Sequence, residues 1–470
     1  MKLLLVSLPG LEENDGNLFP LGLGYLTSSV KQHHDVRAMH FNKMSSARVE
    51  IRDAVTAFSP DLVGFTCNTF TRSHVRDAIR LVRSIDKHIT IVVGGVHASF
   101  CYDQALNRYD ADIIVIGEGE NTLRELCQAL DKKTSLQAVR GIAYKHNGDV
   151  VVTPPRDAIL NLDDLPMPDY SYAKKNIEQA SIGVIISSRG CPVRCTFCST
   201  SSYWGQKVRT YSTVRIVDEI EMVMSEFNVR KIFFHDDTFN LGIERVKAIC
   251  SEILRRKLNV EWACSCRVVP ITEEMISHMV EAGCRQIVWG IESGSETMLK
   301  SINKKITLSQ IRNAFEMSKK FSDVLATGAF IMVGNPGETE ETIRETISFL
   351  DTIPITDPFS SSILQVLPGT LLYEKLLKES HIRNEDWANY DSIPYYTLEN
   401  SFLTMLKWAK QINRCGNRIP YDPKKHFWNS APYTINNNDQ AFIETTMKYL
   451  NLRRTSSRLK NLLGAGRIRF

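Results

Sequence analysis

The chain has 470 residues, enough for two or three domains, with 43% hydrophobic and 23% charged residues and a formal net charge of +4. No apolar run reaches the length of about eighteen residues that a membrane-spanning helix needs, and the mild charge does not indicate a nucleic-acid partner. The opening MKLLLVSLPG is interrupted too soon for a signal peptide, and eleven cysteines, an odd number, fit a reducing compartment. We therefore expect a globular, cytoplasmic protein.

Short apolar runs alternate with amphipathic stretches in the first part of the chain. The runs predict strands at 3–8, 61–67, 90–95 and 112–117. The stretches predict helices at 20–33, 72–87 and 119–130. This alternation predicts an α/β fold in residues 1–135, with a doubly wound, parallel, Rossmann-like sheet.

Small and polar residues follow these predicted strands. They are Pro9, Asn68, Thr69, Gly94, Gly95, His97, Gly117, Glu118, Gly119 and Glu120. Ligands of such sheets bind at the carboxyl ends of the strands, and glycine lets a ligand approach the backbone closely. Each residue alone is weak evidence, but their alignment on one edge predicts a ligand site.

A hairpin and a connector follow. Asn147-Gly148 predicts the turn of a β-hairpin within 144–152. Repeated prolines and acids between 154 and 169 predict an extended segment. We assign residues 136–178 to this hairpin and linker.

Strand and helix patterns then resume. Strands are predicted at 181–188, 231–236, 260–265, 286–291, 325–333 and 359–366. Helices are predicted at 213–227, 241–256, 271–282, 307–320, 338–350 and 370–379. Six such units predict a partial, open (β/α)6 barrel in residues 179–380, with its chemistry at the carboxyl ends of the strands.

Three cysteines follow the first barrel strand with the spacing C-x₃-C-x₂-C: Cys191, Cys195 and Cys198. Thiolates are the usual ligands of iron–sulfur clusters, and three of them leave the fourth iron of a 4Fe–4S cluster open for a substrate or cofactor. A zinc site would want a fourth Cys or His, and a disulfide between residues this close would be strained. The spacing therefore predicts a cluster-binding loop.

This loop, with Gly190 before it, resembles the signature of the radical S-adenosylmethionine (SAM) superfamily. Further family motifs fall in order at strand ends: Asp236-Asp237, GIESGS from Gly290, GNPGET from Gly334 and PGT from Pro368. The resemblance implies that SAM chelates the open iron of the cluster. Reductive cleavage of SAM then yields a 5′-deoxyadenosyl radical.

Eight residues are predicted to contact SAM, seven by their match to the family and Arg267 because it follows the third barrel strand and could pair with a carboxylate. They are Phe197, Asp236, Asp237, Arg267, Glu292, Ser293, Gly334 and Pro336. On the residues alone, the aspartate pair could equally cap a helix.

The first segment resembles the cobalamin-binding domain that precedes the radical SAM core in many enzymes. The matching pieces are PLGLGYL at 20–26, GGVHA at 94–98 and GEGE at 117–120. The loop after the first strand lacks the D-x-H-x-x-G motif of the other large group of cobalamin binders. The resemblance therefore implies cobalamin with no protein imidazole on cobalt, Gly94 and Gly95 near the corrin or nucleotide tail, and a structural His97.

A second cluster would need three or four converging thiols. Cys264 and Cys266 share one face of a strand, but the nearest other thiols, Cys250 and Cys284, lie on predicted helices or at their ends, and buried free thiols are common, so no second cluster is predicted. Residues 381–470 form a mainly helical segment, rich in aromatics such as Trp387, with helical spacing at 399–413 and 439–450. Its aromatics either line the substrate pocket or pack on the barrel. The basic end, from Arg453 to Arg469, is either a solvated terminus or a partner site.

The two resemblances imply a cobalamin-dependent radical SAM methyltransferase acting on an unactivated carbon of a small-molecule or lipid-like substrate. An external one-electron donor of the flavodoxin or ferredoxin type would reduce the cluster, and a second SAM would remethylate cobalt. The alternative is an oxidative cyclase like anaerobic magnesium-protoporphyrin monomethyl ester cyclase. A methylthiotransferase is disfavoured because the first segment lacks three further cluster cysteines, and a cobalamin sensor is disfavoured because the cluster motif is intact.

Overall fold

The computed structural model describes residues 1–10, 19–174, 177, 182–384, 387, 394–419 and 427. The predicted helix at 439–450 and the basic end of the chain lie outside these residues, so those two expectations stay untested. Within the described part, no helix is both long and apolar enough to cross a membrane.

Seven strands form the first sheet, in the order β2-β1-β3-β4-β5-β6-β7. They are β1 (Lys2–Ser7), β2 (Asp35–His40), β3 (Leu62–Thr66), β4 (Thr90–Gly94), β5 (Ile113–Val115), β6 (Ile142–His146) and β7 (Asp149–Val152). Strands β1 to β5 are parallel, which confirms the predicted doubly wound sheet. The predicted hairpin is β6–β7, and it extends this sheet antiparallel to β5.

Helices cover both faces of the sheet. They are α1 (Leu21–Val30), α2 (Met44–Phe58), α3 (Arg72–Ile85), α4 (Val96–Phe100), α5 (Tyr102–Arg108) and α6 (Glu120–Asp131). Strand β1 shows why two layers form: Leu4 and Val6 pack under α2 and α3, whereas Leu3 and Leu5 pack under α1 and α6. A central parallel strand is thus apolar on both sides.

The second sheet has six parallel strands in the order β15-β14-β13-β12-β11-β8. The strands of this half are β8 (Ile182–Ile185), β9 (Ser188–Arg189), β10 (Arg209–Thr210), β11 (Lys231–Phe234), β12 (Glu261–Cys266), β13 (Cys284–Glu292), β14 (Ala326–Val333) and β15 (Ser361–Ile363). Strands β8 and β15 stand at opposite edges and do not pair, so the barrel is open. The predicted partial (β/α)6 barrel is confirmed.

Helices alternate with these strands, and most of them pack on the outer face; α7 lies in the loop after β9, and α14 packs with Met332 on the inner face of β14. They are α7 (Thr200–Tyr203), α8 (Thr213–Phe227), α9 (Ile243–Arg255), α10 (Glu273–Glu281), α11 (Glu296–Ser301), α12 (Leu308–Lys319), α13 (Glu340–Leu350), α14 (Leu371–Lys378) and α15 (Phe402–Gly416). Because side chains alternate along a strand, Ile287, Trp289 and Ile291 of β13 enter the outer core, whereas Val288 and Gly290 face the barrel interior.

The C-terminal aromatics have more than one role. Trp408 of α15 packs on the outside of the barrel, where its Nε1 donates to Glu340 at 2.6 Å. Phe427 instead packs with Ile182 and Ala263 near the amino ends of the barrel strands. Both side chains are buried, so this segment completes the core of the second half.

A buried carboxyl group, Glu219 of α8, supports a prediction about pH. Its Oε1 accepts from the Tyr170 hydroxyl at 2.7 Å, and burial raises the pKa of Glu219 from 4.5 to about 7. The native state therefore holds this proton more tightly than the unfolded chain, and stability is lost as pH rises from about 4.5 through about 7. We expect Glu219→Gln to add on the order of 2 kcal/mol to the free energy of unfolding at pH 8 and almost nothing at pH 4.

Urea denaturation of both proteins at pH 4 and pH 8, followed by far-ultraviolet circular dichroism, measures this difference. Glu226→Gln, on an exposed position of the same helix, is the matched control and should change neither value. An equal gain at both pH values would contradict the assignment of the effect to the buried charge.

Candidate active site

The three cysteines lie on a loop, residues 190–208, that leaves and re-enters the barrel through a two-residue ladder. Strands β9 and β10 pair antiparallel, with Arg189 opposite Arg209 and Ser188 opposite Thr210. Gly190 begins the loop with a φ of 105°, and a Cβ there would lie 2.6 Å from the Lys207 carbonyl oxygen. Only glycine fits this close crossing of the two ends. We call residues 190–208 the cluster loop.

Backbone hydrogen bonds hold the cluster loop in place. The amide of Cys198 donates to the Cys195 carbonyl at 3.2 Å, and the amide of Thr196 donates to Ile302 at 3.0 Å. The Asn303 side chain donates to the Arg194 carbonyl at 2.7 Å. The turn after α11 therefore supports the loop that carries the three thiols.

The chemistry of the three thiols fits a 4Fe–4S cluster. Within the described residues, no three His, Cys, Asp or Glu side chains are placed to bind one metal ion. A cluster does not need such convergence, because each thiolate binds its own iron. Burial raises the pKa of Cys195 to about 11, while the positive charges of Lys304 and Arg267 favour its thiolate.

The two predicted aspartates differ in their surroundings. Asp236 is buried and accepts from the amide and hydroxyl of Ser187, at 3.1 and 2.8 Å. Asp237 is exposed as a residue, and its carboxylate accepts from the Thr200 hydroxyl at 2.9 Å. Partial desolvation by the surrounding protein raises the pKa of Asp237 to about 6. Asp237 is therefore the member free to receive a cationic group.

A buried ion pair stands beside the thiols. Lys304 and Glu292 lie 2.8 Å apart at the carboxyl end of β13, and Arg267 donates to the Lys304 carbonyl at 2.7 Å. Glu292 has a φ of 67°, a conformation that a non-glycine residue adopts only where its surroundings hold it. Lys304 follows no strand and belongs to no family motif, so the sequence gives no signal for its place in the site.

The other predicted SAM contacts, Ser293, Gly334, Pro336 and Phe197, make contacts with other parts of the protein. The Ser293 hydroxyl lies 3.1 Å from that of Thr346 in α13. Gly334 packs on Met405, the Pro336 carbonyl accepts from Ser301 at 3.1 Å, and Phe197 packs against the apolar cluster around Tyr373. Their side chains or backbone shape the mouth of the barrel.

A cleft opens at the carboxyl ends of β1, β3, β4 and β5, with about 740 Å³ of space, part of it open solvent. Six glycines line it: Gly22, Gly64, Gly94, Gly95, Gly117 and Gly119. Leucines from α1 and α6 form much of the rest. A Cβ at Gly22 or Gly117 would meet no atom within 4 Å, so absent side chains keep the cleft open. These apolar walls fit a large flat group such as the nucleotide base of cobalamin.

The remaining predicted cobalamin residues do not line this cleft. Pro9 accepts from His74 at 3.0 Å through its carbonyl, and the Asn68 side chain accepts the amides of the next turn at 2.9 Å. His97 is buried, with its Nδ1 3.2 Å from the Thr69 hydroxyl. Burial and the charge of Arg72 lower the pKa of His97 to about 3, so its ring is neutral.

Part of the wall of the cleft comes from the cluster loop. Tyr203, the last residue of α7, and Trp204 after it line the cleft together with the glycines. The Tyr203 hydroxyl donates to the Gly117 carbonyl at 3.0 Å. The candidate cluster site and the candidate cobalamin site therefore share one loop, a relation that no single motif predicts.

Four buried charges join the base of the cluster loop to the same cleft. Arg189 donates to Glu118 at 3.1 Å and to Glu120 at 2.6 Å, and Arg209 donates to Glu118 at 2.8 Å. All four side chains are at most 8% exposed. Burial disfavours the charge on Arg189, but the adjacent carboxylates outweigh it and raise its pKa well above the ordinary value. The carboxylates of Glu118 and Glu120 thus bind arginines, while the two residues still line the cleft.

Two family models match the chain, and they coincide with the two halves of the site. The model described as the radical SAM superfamily matches residues 185–350, and that described as the B12 binding domain matches residues 11–127. An uncharacterized methyltransferase of Pyrococcus horikoshii is 34% identical over 80% of this chain and 82% of its own.

A curated relative and a solved structure that resemble this chain are named for different activities, a cyclase and a methyltransferase. The anaerobic magnesium-protoporphyrin IX monomethyl ester cyclase of Rubrivivax gelatinosus is 29% identical over 72% of this chain and 62% of its own. The solved structure of the radical SAM methyltransferase TsrM of Kitasatospora setae, with cobalamin and a 4Fe–4S cluster bound, superposes with a TM-score of 0.71. It is 19% identical and covers 91% of this chain and 86% of its own, a likeness of fold.

Proposed function

This chain belongs to the radical SAM superfamily, in its family of cobalamin-dependent methyltransferases, and from that premise we propose that it methylates an unactivated carbon of a small-molecule or lipid-like substrate. The observation that carries the proposal is the shared wall between the cluster loop and the glycine-lined cleft, formed by Tyr203 and Trp204. A methyl donor and a radical generator must face one substrate, and this wall brings their two sites together.

In this proposal Cys191, Cys195 and Cys198 hold a 4Fe–4S cluster, and the cleft holds cobalamin. When bound, the cluster supplies the electron that cleaves SAM, and cobalamin supplies the methyl group. The protein residues bind and orient these cofactors and the substrate, and they shield the substrate radical from water. An external one-electron donor of the flavodoxin or ferredoxin type and a second SAM complete the cycle.

Charged residues at the barrel mouth suit the methionine end of SAM. Asp237 offers a carboxylate for the amino group, and Arg267 stands where it could pair with the carboxylate group. Lys304 and Oε1 of Glu292 lie 2.8 Å apart beside the bulge of β13. This contact uses one carboxylate oxygen, and we propose that the second oxygen of Glu292 makes the predicted contact with SAM.

The barrel interior supports an apolar substrate. Phe330, on the face of β14 opposite the outer core, is 48% exposed, although β14 is flanked by strands on both sides. Val288 faces the same side and is only partly buried. Central strands of parallel sheets are normally covered on both faces, so an uncovered aromatic there favours a ligand with an apolar part.

The second candidate is an oxidative ring closure, favoured by the similarity to the cyclase of Rubrivivax gelatinosus. This chain spans 62% of the length of that relative. A cyclase would use both cofactor sites and would differ in the fate of the substrate radical.

Anaerobic reconstitution with iron, sulfide and hydroxocobalamin, then incubation with SAM and dithionite, tests the proposal. Mass spectrometry should find 5′-deoxyadenosine together with S-adenosylhomocysteine in the presence of substrate extracts. Retained cobalamin with 5′-deoxyadenosine alone would favour the cyclase. Loss of all cobalamin on desalting would refute the proposed use of the cleft.

A further inference from the structure

Arg189 stands between the two candidate cofactor sites. It precedes Cys191 by two positions, and its guanidinium reaches the first domain to contact Glu118 and Glu120 at 3.1 and 2.6 Å. Both glutamates line the glycine-rich cleft. One side chain thus contacts the wall of the cleft while its backbone begins the cluster loop.

The ladder of β9 and β10 concentrates charge at the base of the cluster loop. Arg189 and Arg209 face each other across it, an arrangement that is unfavourable unless both charges are neutralised. Glu118 and Glu120, from the other domain, supply two carboxylates for the two guanidinium groups. The pairing of β9 with β10 is therefore most stable when Glu118 and Glu120, at the edge of the cleft, contact the two arginines.

Aromatic rings complete the surroundings of Arg189. Its guanidinium carbon lies 5.3 Å from the ring centre of Tyr25 in α1 and 5.0 Å from that of Trp204. Trp204 lines the cleft, and so do residues of α1. A ligand that moves Trp204 or α1 would alter contacts of Arg189.

From this geometry we infer that Arg189 is a positioning residue that couples the two sites, so that an ordered cluster loop and a filled cleft favour each other. The inference rests on the proposed function, because it concerns cobalamin binding in the cleft. Coupling is reciprocal by thermodynamic necessity: if the cluster tightens cobalamin binding, cobalamin stabilises the cluster to the same extent.

The test measures hydroxocobalamin affinity by equilibrium dialysis, under anaerobic conditions, for full-length protein with and without the reconstituted cluster. We expect the cluster to tighten binding by about five-fold or more in the parent protein. In Arg189→Lys, which keeps the charge but loses the fork that spans two carboxylates, the ratio should fall towards one. Glu120→Gln, which leaves Arg189 partly unpaired, should reduce it as well.

The chain offers a matched control in Arg156, which donates to Glu125 of α6 through both terminal nitrogens but lies away from the cluster loop. Arg156→Lys should keep the parent ratio. Melting temperature and iron content are measured for every variant, so that a merely unstable protein is recognised by weak cobalamin binding in both states at an unchanged ratio.

A ratio of one in the parent protein, or a parent-like ratio in Arg189→Lys and Glu120→Gln, would overturn the coupling and leave the proposed function standing. An equal loss of coupling in Arg156→Lys would also overturn it. Absence of cobalamin binding to every form would overturn both proposals.

Discussion

Replacement of Cys195 by alanine should remove the iron–sulfur cluster. Reconstituted parent protein should carry about four irons per chain, and Cys195→Ala less than about one. Formation of 5′-deoxyadenosine from SAM and dithionite should fall at least about a thousand-fold, because the electron then has no route to SAM. Cys195 is the most informative of the three, since it is the most buried and faces the charges of Lys304 and Arg267.

A matched control is Cys264→Ala. Cys264 is a buried free thiol on β12, with its Sγ 3.6 Å from that of Cys266. Its loss should leave the iron content and SAM cleavage near parental values. Iron and sulfide assays with the electron paramagnetic resonance spectrum of the reduced protein measure both variants. An iron loss in Cys264→Ala equal to that in Cys195→Ala would contradict the assignment of the cluster to the cysteines of the cluster loop.

Replacement of Gly22 by tryptophan should close the glycine-lined cleft, the proposed cobalamin site, without disturbing the fold. Gly22 lies in α1, lines the cleft, and has no atom within 4 Å of where a Cβ would lie. An indole there extends into the space that the cofactor needs. We expect hydroxocobalamin affinity to fall at least about a hundred-fold, equivalent to about 2.8 kcal/mol.

The control for this variant is Gly22→Ala, which adds a single methyl group and should raise helix stability by up to about 1 kcal/mol. Equilibrium dialysis gives the affinities, and the iron content of each reconstituted protein shows whether the cluster loop is intact. A Gly22→Trp protein that binds hydroxocobalamin as the parent does would show that the cofactor lies elsewhere.

Much of the architecture could be predicted because apolar runs and turn residues are local signals. The strand prediction missed β2, whose sequence DVRAMH carries Asp35 and Arg37. As an edge strand it pairs on one side only, so it needs no continuous apolar run. Helix α2 was missed for a similar reason, since its buried residues Met44, Ala47 and Ile51 are spread among charged ones.

The cluster loop could be predicted because three cysteines lie within a segment of eight residues. The role of Arg189 could not, because it depends on the register of a two-residue ladder and on carboxylates about seventy residues earlier in the chain. Glu118 and Glu120 were predicted at the cleft from their place after a strand, and there they lie. Their carboxylates contact arginines of the other domain, and the packing between domains that brings these residues together leaves no local signal in the sequence.

The division of the four buried charges has a consequence for exchanging domains between relatives. The two arginines belong to the barrel half and the two glutamates to the first domain. Each half therefore places two like charges at the contact between the halves, and only the other half neutralises them. Uncompensated buried charges are strongly destabilising. A chimera that takes its first domain from another protein must therefore bring acids to positions 118 and 120, and the two halves are constrained to change as one unit.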